Sequence, residues 1–335
     1  MNIETSRSLL ATTLLTIFPV IAVPTVAGAA TKTPHDLGTL GGSSSIARGM
    51  NNSGVVVGDA STPNEETHAF VFKPGSGALT DMGTLGGGFS SASDINNCGL
   101  AVGVSRADPN AYCSRAVVWD TNRHNRVTIL PDLDPSAPFG CSAPSAINDA
   151  GQIVGTSNQL PVLWSNGTVV SLGSLGNGGF AVGINSRGDI VGQSTTASFE
   201  FHAFLWRAGV MTDIGTLGGD FITVGGINDR GQIAGYGTDG AGQFAAFIWE
   251  DGVFHILPSF GGYANARAIT NDGLLAGEAA VGSDIHGVFW NQAHQIQELS
   301  PLPGSTFSAG FAVNDAGLVA GMSSVDFGSH AVVWR

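Results

Sequence analysis

The sequence predicts an all-β fold: a seven-bladed β-propeller with four-stranded blades, its ring closed by an N-terminal strand that completes the last blade. Three observations predict it. Seven copies of one β-rich unit follow one another along the chain, and a large aromatic residue closes the same strand in each copy. A lone strand-like segment also precedes the first copy, while the last copy stops before its fourth strand. A repeat of roughly 43 residues is one blade in size, and such a unit cannot bury both faces alone. A β-solenoid or a pair of β-sandwiches is the alternative.

The composition agrees. Glycine supplies 49 of 335 residues and charged residues only 12%, which suits short strands joined by tight turns. An apolar share of 43% is ample for a packed core. A formal charge of -13 with 13 scattered basic residues excludes a nucleic-acid surface, which needs clustered Lys and Arg.

Residues 1–29 read as a secretory signal peptide. Arg7 and the free amine precede an apolar run from Leu9 to Val26, and Ala27-Gly28-Ala29 gives the small-x-small cleavage pattern. Glu4 lowers the charge of the first segment, and Pro19 and Pro24 interrupt the run, which is short for a membrane anchor. Residues 30–335 then form a single seven-repeat domain with no membrane span, expected to be a monomer outside the cell, in the periplasm or at the cell surface.

Each unit opens with a hairpin. Met50-Asn51-Asn52-Ser53-Gly54 is the first turn, and its copies start at Ile95, Ile147, Ile184, Ile227, Ile269 and Val313. Asn and Asp bond their own backbone in turns, and the closing Gly accepts a positive φ. The strands on either side are A and B. The residues one and three before the apolar start of each turn are nearly all small, as in Gly183 and Ala181, so strand A belongs at the crowded axis.

Strand C runs over His68–Phe72, Arg115–Trp119, Leu160–Trp164, His202–Trp206, Ala245–Trp249, His286–Trp290 and His330–Trp334. All six tryptophans take its last position, with Phe72 in the remaining, first copy, and this reads as a core rule rather than a set of ligand platforms. Leu37-Gly38-Thr39-Leu40-Gly41-Gly42 reads as strand D and the crossing to the next blade. Copies begin at Met82, Leu172 and Ile214, degenerate ones at Leu257 and Leu299, and the most divergent is Ile129-Leu130-Pro131-Asp132-Leu133. The segment from His35 to Leu40 is expected to pair with His330 to Trp334, whereas Ala30 to Thr33 should be dispensable.

With its Leu-Gly-Thr-Leu-Gly-Gly, Ile-Asn-x-x-Gly and His-Ala-Phe pattern, the chain resembles the HAF-repeat family of predicted extracellular bacterial proteins, from Leu37 to Trp334. The resemblance implies export and repetition. It implies no reaction, ligand or catalytic residue. Arg115, Leu160 and Ala245 replace the His in three copies, which points to a structural triplet.

No cofactor or metal site is expected. Equivalent His residues on separate blades, two strands out from the axis, cannot converge on one ion. The Gly-rich crossings lack the Lys-Ser/Thr and helix of a phosphate loop. The turns lack the alternating acids and distal Glu of a calcium loop. The B–C loops carry Glu65, Glu66, Asp108, Glu200, Asp239, Asp284 and Asp326, an acidic rim that is solvated or holds a cation or a basic partner. Asp94, in place of the usual Gly or Ala, and Arg48 and Arg267 one position earlier are the candidates for a site at the channel mouth, or for ion pairs between blades. Cys113 and Cys141 fall on one face of adjacent blades and are the expected disulfide; Cys98 lies on the other. The expected function is a secreted binding or interaction module for a protein or glycan ligand. A hydrolase or lyase acting on extracellular polymer, or a structural cell-surface protein, is the alternative. An enzyme should gather acids, a base and aromatics at a break in the repeat, and the three tyrosines, Tyr112, Tyr236 and Tyr263, fall in three different blades.

Overall fold

Alternating apolar strands that end in Asn-x-x-Gly turns fold here into seven four-stranded antiparallel sheets arranged as a seven-bladed propeller. The computed structural model describes residues 32–136, 141–326 and 328–335. The expected signal peptide lies outside them. No helix among the described residues is long and apolar enough to cross a membrane. In the first blade the strands from the axis outward are Ser45–Met50, Val56–Ser61, Thr67–Phe72 and Thr80–Asp81.

Every A–B pair shifts register at the same place, leaving one extra residue on strand A. The bulged residues are Arg48, Ser93, Ser145, Val182, Gly225, Arg267 and Phe311. A bulge bends its strand and re-aims one side chain, and here it aims all seven at the axis.

The repeated turn asparagine does two things. Asn51 Oδ1 accepts the backbone N–H groups of Ser53 and Val55, which shapes the turn, and Gly54 closes it at a φ of 75°. Its Nδ2 donates to the carbonyl of Asn96 in the next blade. Asn96, Asn148, Asn185 and Asn228 repeat the contact to residues 148, 185, 228 and 270, and Asn314 closes on Asn51, all at 3.0–3.3 Å. Thr270 has no amide and breaks the relay once. An aspartate could shape the turn but could not donate across the gap, which is why the position is Asn.

Aromatic and aliphatic side chains fill the wedges between blades. Trp119, Trp164, Trp290 and Trp334 are fully buried, and Trp206 and Trp249 pack partly buried against neighbouring clusters. The indoles of Trp164, Trp290 and Trp334 donate to carbonyls of the preceding D–A crossing.

The ring closes by sharing. Pro34–Asp36 pairs with Gly328–Trp334, placing Pro34 opposite Trp334 and Asp36 opposite Val332. The strand lies earlier than the sequence suggests, since strand D ends before the Leu-Gly-Thr-Leu-Gly-Gly motif. The Asp36 carboxylate accepts the Gly38 N–H at 2.8 Å while Gly38 turns to a φ of 73°, which stops the strand. Asp81 with Gly83 and Asp213 with Gly215 do the same. Leu37 is nevertheless buried, whereas Leu40 only packs against the cluster's edge. Lys32 and Thr33, expected to be dispensable, make contacts of their own. Lys32 Nζ donates to the Gly317 carbonyl at 2.6 Å, and Thr33 exchanges backbone bonds with Arg335.

Cys113 and Cys141 are joined, with Cα atoms 5.2 Å apart, tying the B–C loop of the second blade to the start of the third. Cys98 is free and exposed in the second blade's turn.

Candidate functional site

The seven bulged residues line one axial cavity of about 310 Å³, together with Asp94 and the small residues Ala146, Gly183, Gly226, Ala268 and Ala312. A second cavity of about 230 Å³ lies toward the turns and is lined by their asparagines. Arg48, Asp94 and Arg267 therefore share one chamber. The ion pairs form within blades rather than between them, because each bulged arginine lies beside the next strand of its own sheet. Arg48 Nε donates to Asp59, and Arg267 holds Glu278 through Nε at 2.5 Å and Nη2 at 2.8 Å. Asp59 does reach the second blade, accepting the Ser91 hydroxyl at 2.8 Å.

Burial pushes the Asp94 carboxyl up to about 6, against the backbone N–H groups of Ile147 and Ile95, which hold the charged form, and with the Asp149 charge adding to the rise. Burial alone would lower Arg267, but its bonds to Glu278 and the Glu278 charge outweigh it and hold the guanidinium above its ordinary value.

A second feature adjoins Arg267, between blades five and six. Phe221, Tyr236, Phe244 and Tyr263 form a cluster with ring centroids 5.3–6.3 Å apart. Phe221 and Phe244 are 37% and 48% exposed, so the cluster offers aromatic surface to solvent. Tyr263 donates its hydroxyl to Glu278 at 2.8 Å, and Asn265 donates to the same oxygen. Burial raises both phenols, and the Glu278 charge raises them further. The rings touch, so no group inserts between them.

Sequence reasoning missed this cleft. Tyr236 and Tyr263 do come from different blades, but they meet across the boundary, so counting by blade hid the cluster. One signal was there: Phe221 and Tyr263 each stand six residues before the apolar start of their turns, beside Tyr236, whose strand B position is aromatic in that blade alone.

The acids of the expected rim lie at the B–C loops, and several are occupied in closing them. Glu65 accepts the Ser43 hydroxyl, Glu200 that of Ser198, and Asp108 and Asp239 accept backbone N–H groups of their own turns. Exposed Phe199 and Phe201 flank Glu200. The strand C histidines face acids on strand D: His68 with Asp81, His202 with Asp213, His286 with Glu298 and His330 with Asp36, at 2.7–2.8 Å. No group of three or more metal-ligating side chains occurs among the described residues.

No protein-family model matches the chain, and no curated protein matches it. Among solved structures it is similar to virginiamycin B lyase from Staphylococcus aureus with quinupristin (12% identity, TM-score 0.59, 91% of this chain and 99% of that one). It is similar also to YCF48 bound to a D1 peptide (11% identity, TM-score 0.56, 94% and 99%). TolB from Acinetobacter baumannii aligns at 13% identity and a TM-score of 0.48, over 76% of this chain, which spans 62% of that structure. The first two likenesses show the propeller fold.

Proposed function

We propose that the chain is a secreted HAF-repeat binding module, exported by residues 1–29, whose protein or glycan ligand seats on the face that carries the B–C loops and D–A crossings. One observation carries the reading: the exposed aromatic cluster of Phe221, Tyr236, Phe244 and Tyr263, with Glu278 bonded to both Tyr263 and Arg267 beside it. Exposed rings beside a fixed guanidinium concentrate binding energy, since they order little on contact and offer both apolar area and donors. The remainder of the ring holds that surface rigid.

The test is a screen of residues 30–335 against a glycan array and extracellular peptides, repeated with Phe221→Ala and Phe244→Ala. A ligand that both variants lose supports the cleft. One that neither variant weakens overturns it.

A polymer-acting enzyme is the second reading, favoured by the meeting of two phenols, an acid and an arginine at one break in the repeat. Glu278 weighs against it, because its oxygens already accept bonds from Arg267, Tyr263 and Asn265 and leave no free base. Turnover of a polymer by the native chain that Glu278→Gln abolishes would reverse the order of the two readings.

A further inference from the structure

The bulge position varies from blade to blade. Most positions beside it hold small residues that let seven strands converge, Asp94 being an exception, whereas the bulged residue is Arg, Ser, Val, Gly or Phe. A position that faces a shared cavity and escapes the size rule of its neighbours can carry recognition without cost to packing.

The chemistry there is specific. Asp59 takes the Nε edge of Arg48, and Glu278 takes Nε and Nη2 of Arg267. No hydrogen bond among the described residues uses Nη1 or Nη2 of Arg48, Nη1 of Arg267, or the Ser93 and Ser145 hydroxyls. The acids also fix both guanidiniums in place, and the Phe311 ring, 5.1 Å from the Arg267 guanidinium, walls the sector between them. Planar, prepositioned guanidinium edges match a carboxylate, and hydroxyls elsewhere on the ring match hydroxyls.

We propose that the axial cavity binds a small hydroxylated carboxylate, a sugar acid in size and chemistry, its carboxylate held between Arg48 and Arg267 and its hydroxyls by Ser93 and Ser145. The cavity, at about 310 Å³, is of small-ligand size. The site is separate from the aromatic cleft, with Arg267 the single residue common to both.

The experiment is calorimetric titration of residues 30–335 with glucuronate and galacturonate, with glucose and galactose as neutral controls. The acids bind and the neutral sugars do not. Because Arg48→Gln leaves Asp59 without its partner, the diagnostic variant is Arg48→Gln with Asp59→Asn, which removes the pair together. It is checked for a native melting transition and is expected to weaken the acids tenfold or more. Ser145→Val serves as a second variant that leaves both ion pairs in place and should weaken them severalfold. Phe244→Ala, in the cleft, should leave this binding unchanged. Equal binding of acids and neutral sugars, binding unaffected in the folded double variant, or loss of the acids in Phe244→Ala each overturns the channel site. The last result alone would leave the cleft reading standing.

Discussion

The two faces of the ring are built from the same repeat and behave oppositely. The turn face is uniform: seven turns of one pattern, with an asparagine relay stitching blade to blade. The loop face varies from blade to blade. Its third blade joins strands B and C by Asn158-Gln159 alone, both at positive φ in the manner of a type I′ hairpin, while the fourth and fifth carry exposed phenylalanines. Side chains that bond to the next blade cannot change singly, and those that meet only solvent can. The difference teaches that bonding to the next blade constrains the turn face residue by residue and leaves most of the loop face free to vary.

The largest test removes the closure. Without residues 30–41 the last blade loses its fourth strand, the buried Leu37 and the Lys32 bond to Gly317. Each buried apolar side chain is worth about 1.5–3 kcal/mol, so a fall in melting temperature of roughly 10 °C or more is expected. A chain starting at Gly42 that melts within a degree or two of the parent would show that the N-terminal segment is a free tail and does not close the ring. Next, Asn148→Ala removes both a turn contact and a relay contact and should cost about 2–3 kcal/mol in urea unfolding, with ligand binding unchanged. A cost below 0.5 kcal/mol, roughly that of an ordinary surface change, would erase the distinction between the faces.

Asp94 lies between the faces and responds to pH. Its folded value near 6 exceeds the ordinary carboxylate value of 3.8, so the fold favours the protonated form. That stability is present below about pH 4 and is lost as pH rises through 6, at a cost on the order of 3 kcal/mol or less. Asp94→Asn should therefore match the parent near pH 4 and exceed it at pH 8. Parallel stability curves for the two proteins across that window would count against the buried-acid account. Thr270→Asn should restore the missing relay contact and add about 1 kcal/mol, read as a higher urea midpoint. Phe221→Ala and Phe244→Ala should change stability least, by about 1 kcal/mol at most, because both rings are already half in water. A larger loss would give the loop face a share in holding the ring together.

The propeller was legible in the sequence because a repeat writes its rule seven times. Trp at the end of strand C and Asn-x-x-Gly between strands A and B each recur where packing demands them. The strand D boundary was less so, since a Leu-Gly-Thr-Leu-Gly-Gly run reads as strand until an aspartate two residues upstream of its glycine is seen to cap it. Arg48, Asp94 and Arg267 stood out as breaks in a small-residue pattern, but their partners Asp59 and Glu278 did not, because cross-strand neighbours depend on register and the bulge shifts it. The cleft was the hardest to see. Three of its four rings lie on adjacent strands of one blade, and the angle to the neighbouring sheet brings in Tyr263.

The relay of asparagines runs in one rotational sense, each amide reaching forward to the next carbonyl, and chains of hydrogen bonds in one sense strengthen one another. Thr270 gives that chain two ends, on blades six and seven. Blade seven is also the one assembled from the two ends of the polypeptide. On the far side of the ring, the Cys113–Cys141 bridge clamps blades two and three covalently. Thermal opening is thus expected at a single seam: amide protons of blades six and seven should exchange with solvent first and those of blades two and three last in hydrogen-exchange measurements.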